Sequence, residues 1–213
     1  VEKLKEGVAG LMASDGLFEK FVHLVMLDGF CMDKVEVMQT GTNRPWIGLS
    51  WEEARDACRA RGARLPTEAE WEKASRGTDG RIVPWGSGYP TCERAWINDW
   101  RVRPNATEAE IGTPAGMQGG EGCGNDRVTN VEAFADVSSP YGAINMVGNV
   151  SEWVADCYQA DYYSSSLADL ENPLNCPEAS EYSVCSSDVD PTSCAERVLR
   201  GGSFTDKSRN LRT

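Results

Sequence analysis

Residues 139–153 read SPYGAINMVGNVSEW, a stretch that combines turn-forming glycines with an amide and a carboxylate. Asn145 and Glu152 offer side-chain oxygens, while Gly148 allows the backbone to bend. Such a bend can turn the peptide carbonyls of Gly148 and Val150 toward the same centre as those side chains. Hard oxygen ligands of this kind are what Ca²⁺ prefers in proteins. The stretch therefore predicts a calcium site.

The same stretch has a second interpretation that needs no metal. Glycine and asparagine are also typical of tight turns, and a turn here would lead into a strand that buries Trp153. Asn149, Val150 and Ser151 also form a glycosylation sequon. Because this asparagine lies inside the predicted turn, we expect its amide to be packed rather than glycosylated.

Two predicted helices each begin with a capping box, in which a hydroxyl residue is followed three positions later by glutamate. The pairs are Ser50 with Glu53 and Thr67 with Glu70. We expect the first helix to end near Gly62 and the second near Gly77, since glycine commonly terminates helices. Trp71 and Ala74 fall on one face of the second helix and should point into the core.

Three segments together resemble the domain of formylglycine-generating enzymes and their sulfatase-modifying-factor relatives. They are RLPTEAEWEKASRG at 64–77, SPYGAINMVGNVSEW at 139–153 and RVLRGGSF at 197–204. A fainter match, VHLVMLDGFCMDKVEV at 22–37, resembles the opening hairpin of that family and alternates like paired strands around a turn. The resemblance implies one family domain over residues 20–213, after a leader or short helix at 1–19 and without the final strand of relatives.

The resemblance implies a fold class and a set of metal ligands. The family fold is an elaborated C-type-lectin-like one, so we expect an α+β protein with two helices packed on small antiparallel sheets and with long loops. In that family, a calcium ion is held by the residues that match Asn145, Gly148, Val150 and Glu152. The resemblance thus favours the metal interpretation of this turn over the metal-free one.

Relatives hold a second calcium ion in the part of the domain that corresponds to the loop-rich residues 77–138. The candidate ligands in this chain are Asn98, Asp99 and Asp126. Their spacing does not align cleanly with that of relatives. A second calcium site is therefore an expectation that rests on the resemblance alone.

The resemblance fails where the catalytic cysteines of the family would be. Enzymes that make formylglycine carry two cysteines shortly after the Gly-Gly-Ser turn, where they bind copper and oxidise a substrate cysteine with dioxygen. Here the run after Ser203 reads FTDKSRNLRT, which places Asp206 and Leu211 at those positions. Cu(I) prefers sulfur ligands, and neither side chain offers one. We therefore assign no catalytic residue.

Eight cysteines are scattered along the chain without a CxxC pair, which favours disulfides over zinc. Cys92 and Cys123 flank one long loop and are expected to close it. The pairing among four later cysteines stays open: Cys157, Cys176, Cys185 and Cys194. Disulfides persist in oxidising compartments, so we expect a secreted, periplasmic or cell-surface protein. The alternative is a cytosolic protein with buried free thiols.

The chain is acidic, with a formal net charge of −12 and a single histidine, His23. This charge disfavours binding to nucleic acid or to anionic membranes. One histidine cannot form a metal site built from several histidines, and no apolar stretch approaches the roughly 20 residues of a membrane span. Residues 156–196 hold nine acidic residues and no lysine or arginine, which is typical of a solvated surface or of a recognition loop for a cationic partner.

Three functions are compatible with these features. The first is a non-catalytic, calcium-stabilised binding or structural module, which would use the loops at 100–130 and 158–196 to contact a protein or glycan, including as a subunit of a surface assembly. The second is an oxidoreductase related to formylglycine generation, and hence to sulfatase activation, that uses non-standard residues. The third is a calcium-dependent lectin, for which only WIND at 96–99 resembles a sugar-binding motif. The replaced cysteines favour the first.

Overall fold

The computed structural model describes residues 27–86, 88, 90–98, 123, 127–160, 162–164, 174–175, 194–207 and 211. The predicted leader at 1–19 lies outside these residues, as do Asp99, Asp126, Cys176 and Cys185. The chain folds into two compact units. The first unit comprises residues 1–32, 48–80 and 153–200, and the second unit comprises 33–47, 81–152 and 201–213.

Helix α1 spans Trp51–Ala60 and begins with the capping box that the sequence predicts. The Ser50 hydroxyl accepts the Glu53 amide at 3.2 Å, and the Glu53 carboxylate accepts the Ser50 amide at 2.8 Å. These two bonds satisfy amide donors that a helix N-terminus otherwise leaves without partners. The prediction for this helix is confirmed.

Helix α2 spans Glu68–Arg76 and has a second capping box, between Thr67 and Glu70. Gly77 ends the helix with a positive φ of 73°, a conformation that glycine adopts without steric cost. Trp71 and Ala74 are both 1% exposed, which confirms that this face points into the core. A tryptophan side chain buries more apolar area than almost any other, so Trp71 fixes this face of the helix to the core.

Strands β1, Glu152–Cys157, and β2, Arg197–Arg200, pair to form a small sheet. Together with the two helices, this sheet makes the protein a member of the α+β class, as expected. The amide of Ala155 in β1 donates to the carbonyl of Pro66 at 2.8 Å, which ties the strand to the connection between α1 and α2. Arg200 of β2 lies 3.7 Å from the Glu68 carboxylate and 5.2 Å from the ring of Trp71, so β2 lies beside α2.

Tryptophans organise the core of the first unit. Trp51 is buried with Leu65 and Ala155, and its indole N–H donates to the carbonyl of Val154 at 2.8 Å. The guanidinium of Arg197 lies 3.7 Å from the Trp51 ring centroid, a cation–π distance. The large ring is therefore held by apolar packing, a hydrogen bond and a charged neighbour at once.

Asp156 is a fully buried carboxylate in β1, with 0% exposure. One of its oxygens accepts the amide of Glu68, at the first residue of α2, at 2.7 Å, and the other accepts the amide of Asn175 at 2.9 Å. The Asn175 carbonyl accepts the backbone amide of Cys157 at 2.8 Å, and the Asn175 side-chain amide donates to the Cys157 carbonyl at 2.9 Å. Asp156 thus links the start of α2, strand β1 and the 174–175 segment.

The predicted opening hairpin differs from the structure. Within residues 27–37 the described chain forms no strand. Pairing occurs one turn later instead, where Met38 bridges Pro45 and the Trp46 amide donates to the Val37 carbonyl at 2.8 Å. The Lys34 carbonyl also accepts the amide of Ile144 at 2.8 Å. Lys34 thus contacts the 139–153 stretch, while residues 22–26, the first arm of the predicted hairpin, lie outside the described residues.

The second unit has its own apolar core. It consists of Ala95, Ile97, Val147 and Leu211, which are 1–2% exposed, and Trp85 and Cys123 pack against it. Val147 belongs to the 139–153 stretch, so the turn with the predicted metal ligands is built on this core.

Candidate metal centre

The turn between Asn145 and Asn149 has an unusual backbone. Asn145 and Asn149 both have φ of 59°, and Gly148 has φ of 82°. Asparagine tolerates this left-handed region better than most residues, and glycine enters it freely. Three left-handed residues among five fold the peptide planes back on one another. This is the bend that the sequence predicts.

Gly148 also stands where no side chain fits. A Cβ added there would lie 2.7 Å from the carbonyl oxygen of Trp96 and 3.0 Å from Cγ2 of Ile97. The turn is fixed to its neighbours by three backbone hydrogen bonds: Asn149 N–H to Trp96 O at 2.8 Å, Gly148 N–H to Gly201 O at 3.1 Å, and Phe204 N–H to Asn149 O at 2.9 Å. The turn is therefore held in place independently of any ligand.

The Asn145 side chain has a defined orientation. Its amide nitrogen donates to the Glu36 carboxylate at 2.9 Å and to the Val131 carbonyl at 3.0 Å. Because a peptide carbonyl can only accept, the nitrogen must face Val131. Both donors of the amide are thus used, and its carbonyl oxygen is the atom left for a ligand.

Glu36 is the buried acidic group of this region, with 8% exposure. Its second oxygen accepts the side-chain amide of Asn149 at 2.8 Å. Burial raises the pKa of Glu36 to about 8, with a further increase from the negative charge of Glu152, while the hydrogen bonds from Asn145 and Asn149 act in the opposite direction. Two carboxylates therefore share one partly desolvated environment beside the turn.

All four predicted calcium ligands lie between Asn145, where the turn begins, and Glu152, the first residue of β1. Gly148 is buried, and the other three are half-buried: Asn145, Val150 and Glu152. The set supplies an amide oxygen, two peptide carbonyls and a carboxylate, which are hard ligands suited to calcium. Among the described residues, no group of three or more histidine, cysteine, aspartate or glutamate side chains could hold a metal. A calcium site here would thus rely on neutral oxygens, with Glu152 as the charged ligand.

Of the three candidate ligands of the second calcium site, only Asn98 lies within the described residues. Asn98 donates its backbone amide to the carbonyl of Asp206 at 2.9 Å. Asp99 and Asp126 lie outside the described residues, so this site stays a prediction.

Sequence reasoning missed Glu36 as part of the centre. It lies in the segment for which the sequence predicts a hairpin, more than 100 positions before its two asparagine partners. The only available signal was an acidic residue between two valines, at a position that alternation would make apolar or solvent-facing.

The two positions that correspond to the family's cysteines have structural roles. The Asp206 carboxylate accepts the Ser203 amide and the Ser203 hydroxyl, each at 2.9 Å, and so closes the turn after the Gly-Gly-Ser run. Leu211 is 1% exposed and belongs to the core of the second unit. A carboxylate that closes a turn and a buried alkyl group provide no thiolate.

Two disulfides are present among the described residues. Cys92 bonds to Cys123, the pair that the sequence favours, and Cys157 bonds to Cys194, a pairing that it left open. The Cα atoms are 5.2 Å and 5.5 Å apart, respectively, within the usual range for a disulfide. The described part of the chain has no helix that is both long and apolar enough to cross a membrane.

Comparison with known proteins places these features in a family. Residues 13–213 match the model of the sulfatase-modifying factor enzyme 1-like domain. The mouse (Mus musculus) formylglycine-generating enzyme is 32% identical over 165 residues, covering 76% of this chain and 36% of that protein. The bovine (Bos taurus) inactive C-alpha-formylglycine-generating enzyme 2 is 39% identical over 118 residues, covering 54% of this chain and 34% of that protein. The chain thus spans about a third of the length of these two relatives.

A solved structure shares the fold. Treponema denticola variable protein 1 superposes with a TM-score of 0.59 at 18% identity, and the match covers 100% of this chain and 87% of that one. At this identity, the likeness concerns the fold alone. The family match, the three sequence motifs and the replaced thiol positions together show that this chain belongs to the sulfatase-modifying factor enzyme 1-like domain family, in a form without the catalytic cysteine pair of formylglycine-generating enzymes.

Proposed function

We propose that this chain is a non-catalytic, calcium-stabilised module that acts outside the cytoplasm as a binding or structural domain. The observation that carries the proposal is that the two positions of the family's catalytic cysteines are occupied by residues with structural roles. Leu211 is buried in the core of the second unit, and Asp206 closes the turn at Ser203. A copper-dependent oxidation of the family type needs soft sulfur ligands at these positions, and neither residue supplies one.

The existence of relatives named as inactive supports this part of the proposal. The bovine protein that matches 118 residues of this chain is named an inactive form of the enzyme. A relative that is named as inactive is therefore among the proteins similar to this chain. Function depends on a site and not on a fold. The family fold of this chain is therefore not by itself evidence of enzyme activity.

The calcium part of the proposal rests on the donor set of the turn. Asn145, through its side-chain oxygen, and Glu152 would bind calcium together with the carbonyls of Gly148 and Val150. Glu152 places a negative charge beside Glu36. A divalent cation bound between them would favour the ionised form of both carboxyl groups. An ion that binds only the folded turn would stabilise the native state by mass action.

The disulfides support a place outside the cytoplasm. Cys92–Cys123 and Cys157–Cys194 each close a long excursion, with sequence separations of 31 and 37 residues. Such bonds persist in oxidising compartments and are rare in the cytosol. A secreted, periplasmic or cell-surface protein fits this chemistry.

We place partner binding in the loops at 100–130 and 158–196, most of which lie outside the described residues. The partner would be a protein or a glycan. A glycan array with and without calcium separates the two: retention that depends on calcium would identify a lectin, whereas a protein-binding module should give no retained glycan.

The absence of catalysis has a direct test. A Cys-x-Pro-x-Arg peptide is incubated with the protein, copper and dioxygen, and its mass is followed, with an active formylglycine-generating enzyme as the positive control. We expect the peptide mass to stay unchanged with this protein and to shift with the control. A mass loss consistent with conversion of the cysteine to an aldehyde would refute the proposal.

A further inference from the structure

Glu36 joins two asparagines of the 145–149 turn. One carboxylate oxygen accepts the Asn145 side-chain amide at 2.9 Å, and the other accepts the Asn149 side-chain amide at 2.8 Å. Glu36 is 8% exposed, so these bonds form largely away from water. Glu36 is thus a bridge between both asparagines, and all three residues lie in the second unit.

The Asn149 side chain is fully engaged on both sides. It is 0% exposed, its carbonyl oxygen accepts the amide of Thr129 at 2.9 Å, and its nitrogen donates to Glu36. Its backbone also bonds on both sides, to Trp96 and from Phe204. Such a buried asparagine is not accessible to a glycan, and its bonds hold the turn between the two candidate carbonyl ligands, Gly148 and Val150.

We propose that Glu36 is a positioning residue, which sets the orientation of the Asn145 amide so that its oxygen faces the calcium ion, and which fixes Asn149 between the two carbonyl ligands. The inference rests on the proposed calcium site. Glu36 itself need not touch the ion.

The physical argument concerns the symmetry of an amide. An asparagine side chain can rotate by half a turn with little change in shape, which exchanges its oxygen and its nitrogen. At Asn145 this rotation would bring the oxygen against the carbonyl of Val131, which only accepts, and against the Glu36 carboxylate, which only accepts when it is ionised. It would also present N–H groups to the cation. Glu36 and Val131 therefore favour the orientation in which the Asn145 oxygen faces the metal. In other metal sites, too, residues that hydrogen-bond to a ligand fix the orientation of that ligand.

A charge-conserving exchange tests this role. In Glu36→Gln, the new side chain can accept from one asparagine only, because its nitrogen donates. In Asn149→Asp, two carboxylates face each other. In the double variant Glu36→Gln/Asn149→Asp, the oxygen of the introduced glutamine can again accept from Asn145, while its nitrogen donates to the new carboxylate, which still accepts from Thr129. The formal charge of the pair equals that of the wild type.

Calcium affinity of the full chain is measured by isothermal titration calorimetry, and the melting temperature is measured in chelator. We expect each single variant to bind calcium about 10- to 100-fold more weakly, the usual effect of losing a partner behind a metal ligand, and the double variant to recover most of the loss. Glu132→Gln removes an exposed carboxylate from the same unit and is the matched control, with wild-type affinity expected.

The outcomes are separable. If the wild type binds calcium and Glu36→Gln binds it equally well, or if the two single losses add in the double variant, the positioning role is wrong while the calcium site stands. If the wild type takes up no calcium, the calcium site and the positioning role both fall.

A measurement on the wild type covers the case in which the single variants do not fold. The side-chain amide protons of Asn145 are followed by NMR in the calcium-loaded protein. Slow exchange with solvent and retention of both hydrogen bonds support the proposal, whereas fast exchange would overturn it.

Discussion

Leu211 packs directly onto the backbone of Gly202. A Cβ added at Gly202 would collide with Cδ2 of Leu211, so the two residues leave no space between them. Gly202 belongs to the Gly-Gly-Ser run that this chain shares with its family, and Leu211 stands at one of the family's thiol positions. The space beside this turn is therefore filled by a hydrocarbon side chain and is part of the core of the second unit.

Leu211→Ala should destabilise the protein, because it leaves a cavity between Gly202 and the cluster of Ala95, Ile97 and Val147. Truncation of a buried leucine typically lowers the free energy of unfolding by about 2–5 kcal/mol. Chemical denaturation measures this quantity. Leu199→Ala is the control, since Leu199 is 48% exposed, and its effect should be within about 0.5 kcal/mol. Equal effects of the two substitutions would contradict the placement of Leu211.

Gly148→Ala should be among the most damaging single substitutions in the turn. The new Cβ would meet the Trp96 carbonyl at 2.7 Å, in addition to the strain of a positive φ. Gly142→Ala is the matched control, because Gly142 has a similar φ of 85° and open space around its Cβ position. The control should lose about 1–2 kcal/mol from backbone strain, and Gly148→Ala clearly more. Similar losses in the free energy of unfolding would mean that the close approach to Trp96 does not constrain the turn.

Glu152→Ala should remove the response of the protein to calcium. A ligand that binds only the native state stabilises it by RT ln(1 + [L]/Kd), so the wild-type melting temperature should rise when calcium replaces chelator. Without its charged ligand, the turn should bind calcium weakly, and the two melting curves of the variant should coincide. Glu132→Ala, at an exposed position of the same unit, should keep the wild-type response. A variant that still responds in full would exclude Glu152 as a ligand.

Asp156 should make the stability of the protein depend on pH. Burial raises the pKa of Asp156 to about 7 from an ordinary value of 3.8, the amides of Asn175 and Glu68 act against this rise, and the charges of Glu68 and Glu70 add to it. Tyr162 and Arg197 also interact electrostatically with Asp156. Because the folded state holds the proton more tightly, the resulting stabilisation is complete below pH 3.8 and is lost as pH rises to about 7.

Asp156→Asn isolates this contribution, since asparagine does not titrate. The free energy of unfolding of the wild type, minus that of the variant, should decrease between about pH 4 and pH 7 and be constant at higher pH. Guanidinium denaturation at each pH gives both values. A difference that is constant over the whole range would show that Asp156 does not titrate in this window.

Much of the secondary structure could be predicted because its signals are local. The capping boxes at Ser50 and Thr67, and the glycine that ends α2, lie within a few residues of the backbone groups they satisfy. The bend at Gly148 is local in the same sense, since its left-handed conformation needs a residue without a Cβ. In the part of the predicted opening hairpin that is described, residues 27–37, no strand forms, because alternation indicates an extended segment but not its partner; residues 22–26 lie outside the described residues.

The sequence by itself determined the family, the two helices, the bend that gathers the candidate calcium ligands, and the loss of the two thiols, because each of these depends on residue types at short spacing. Only the tertiary structure decided that Glu36 reaches Asn145 and Asn149, that Asp156 joins α2 to residue 175, and that Leu211 fills the space at Gly202. These contacts join residues far apart in the chain. Whether a buried carboxylate finds donors, or a leucine finds a cavity, depends on packing, which no local pattern specifies.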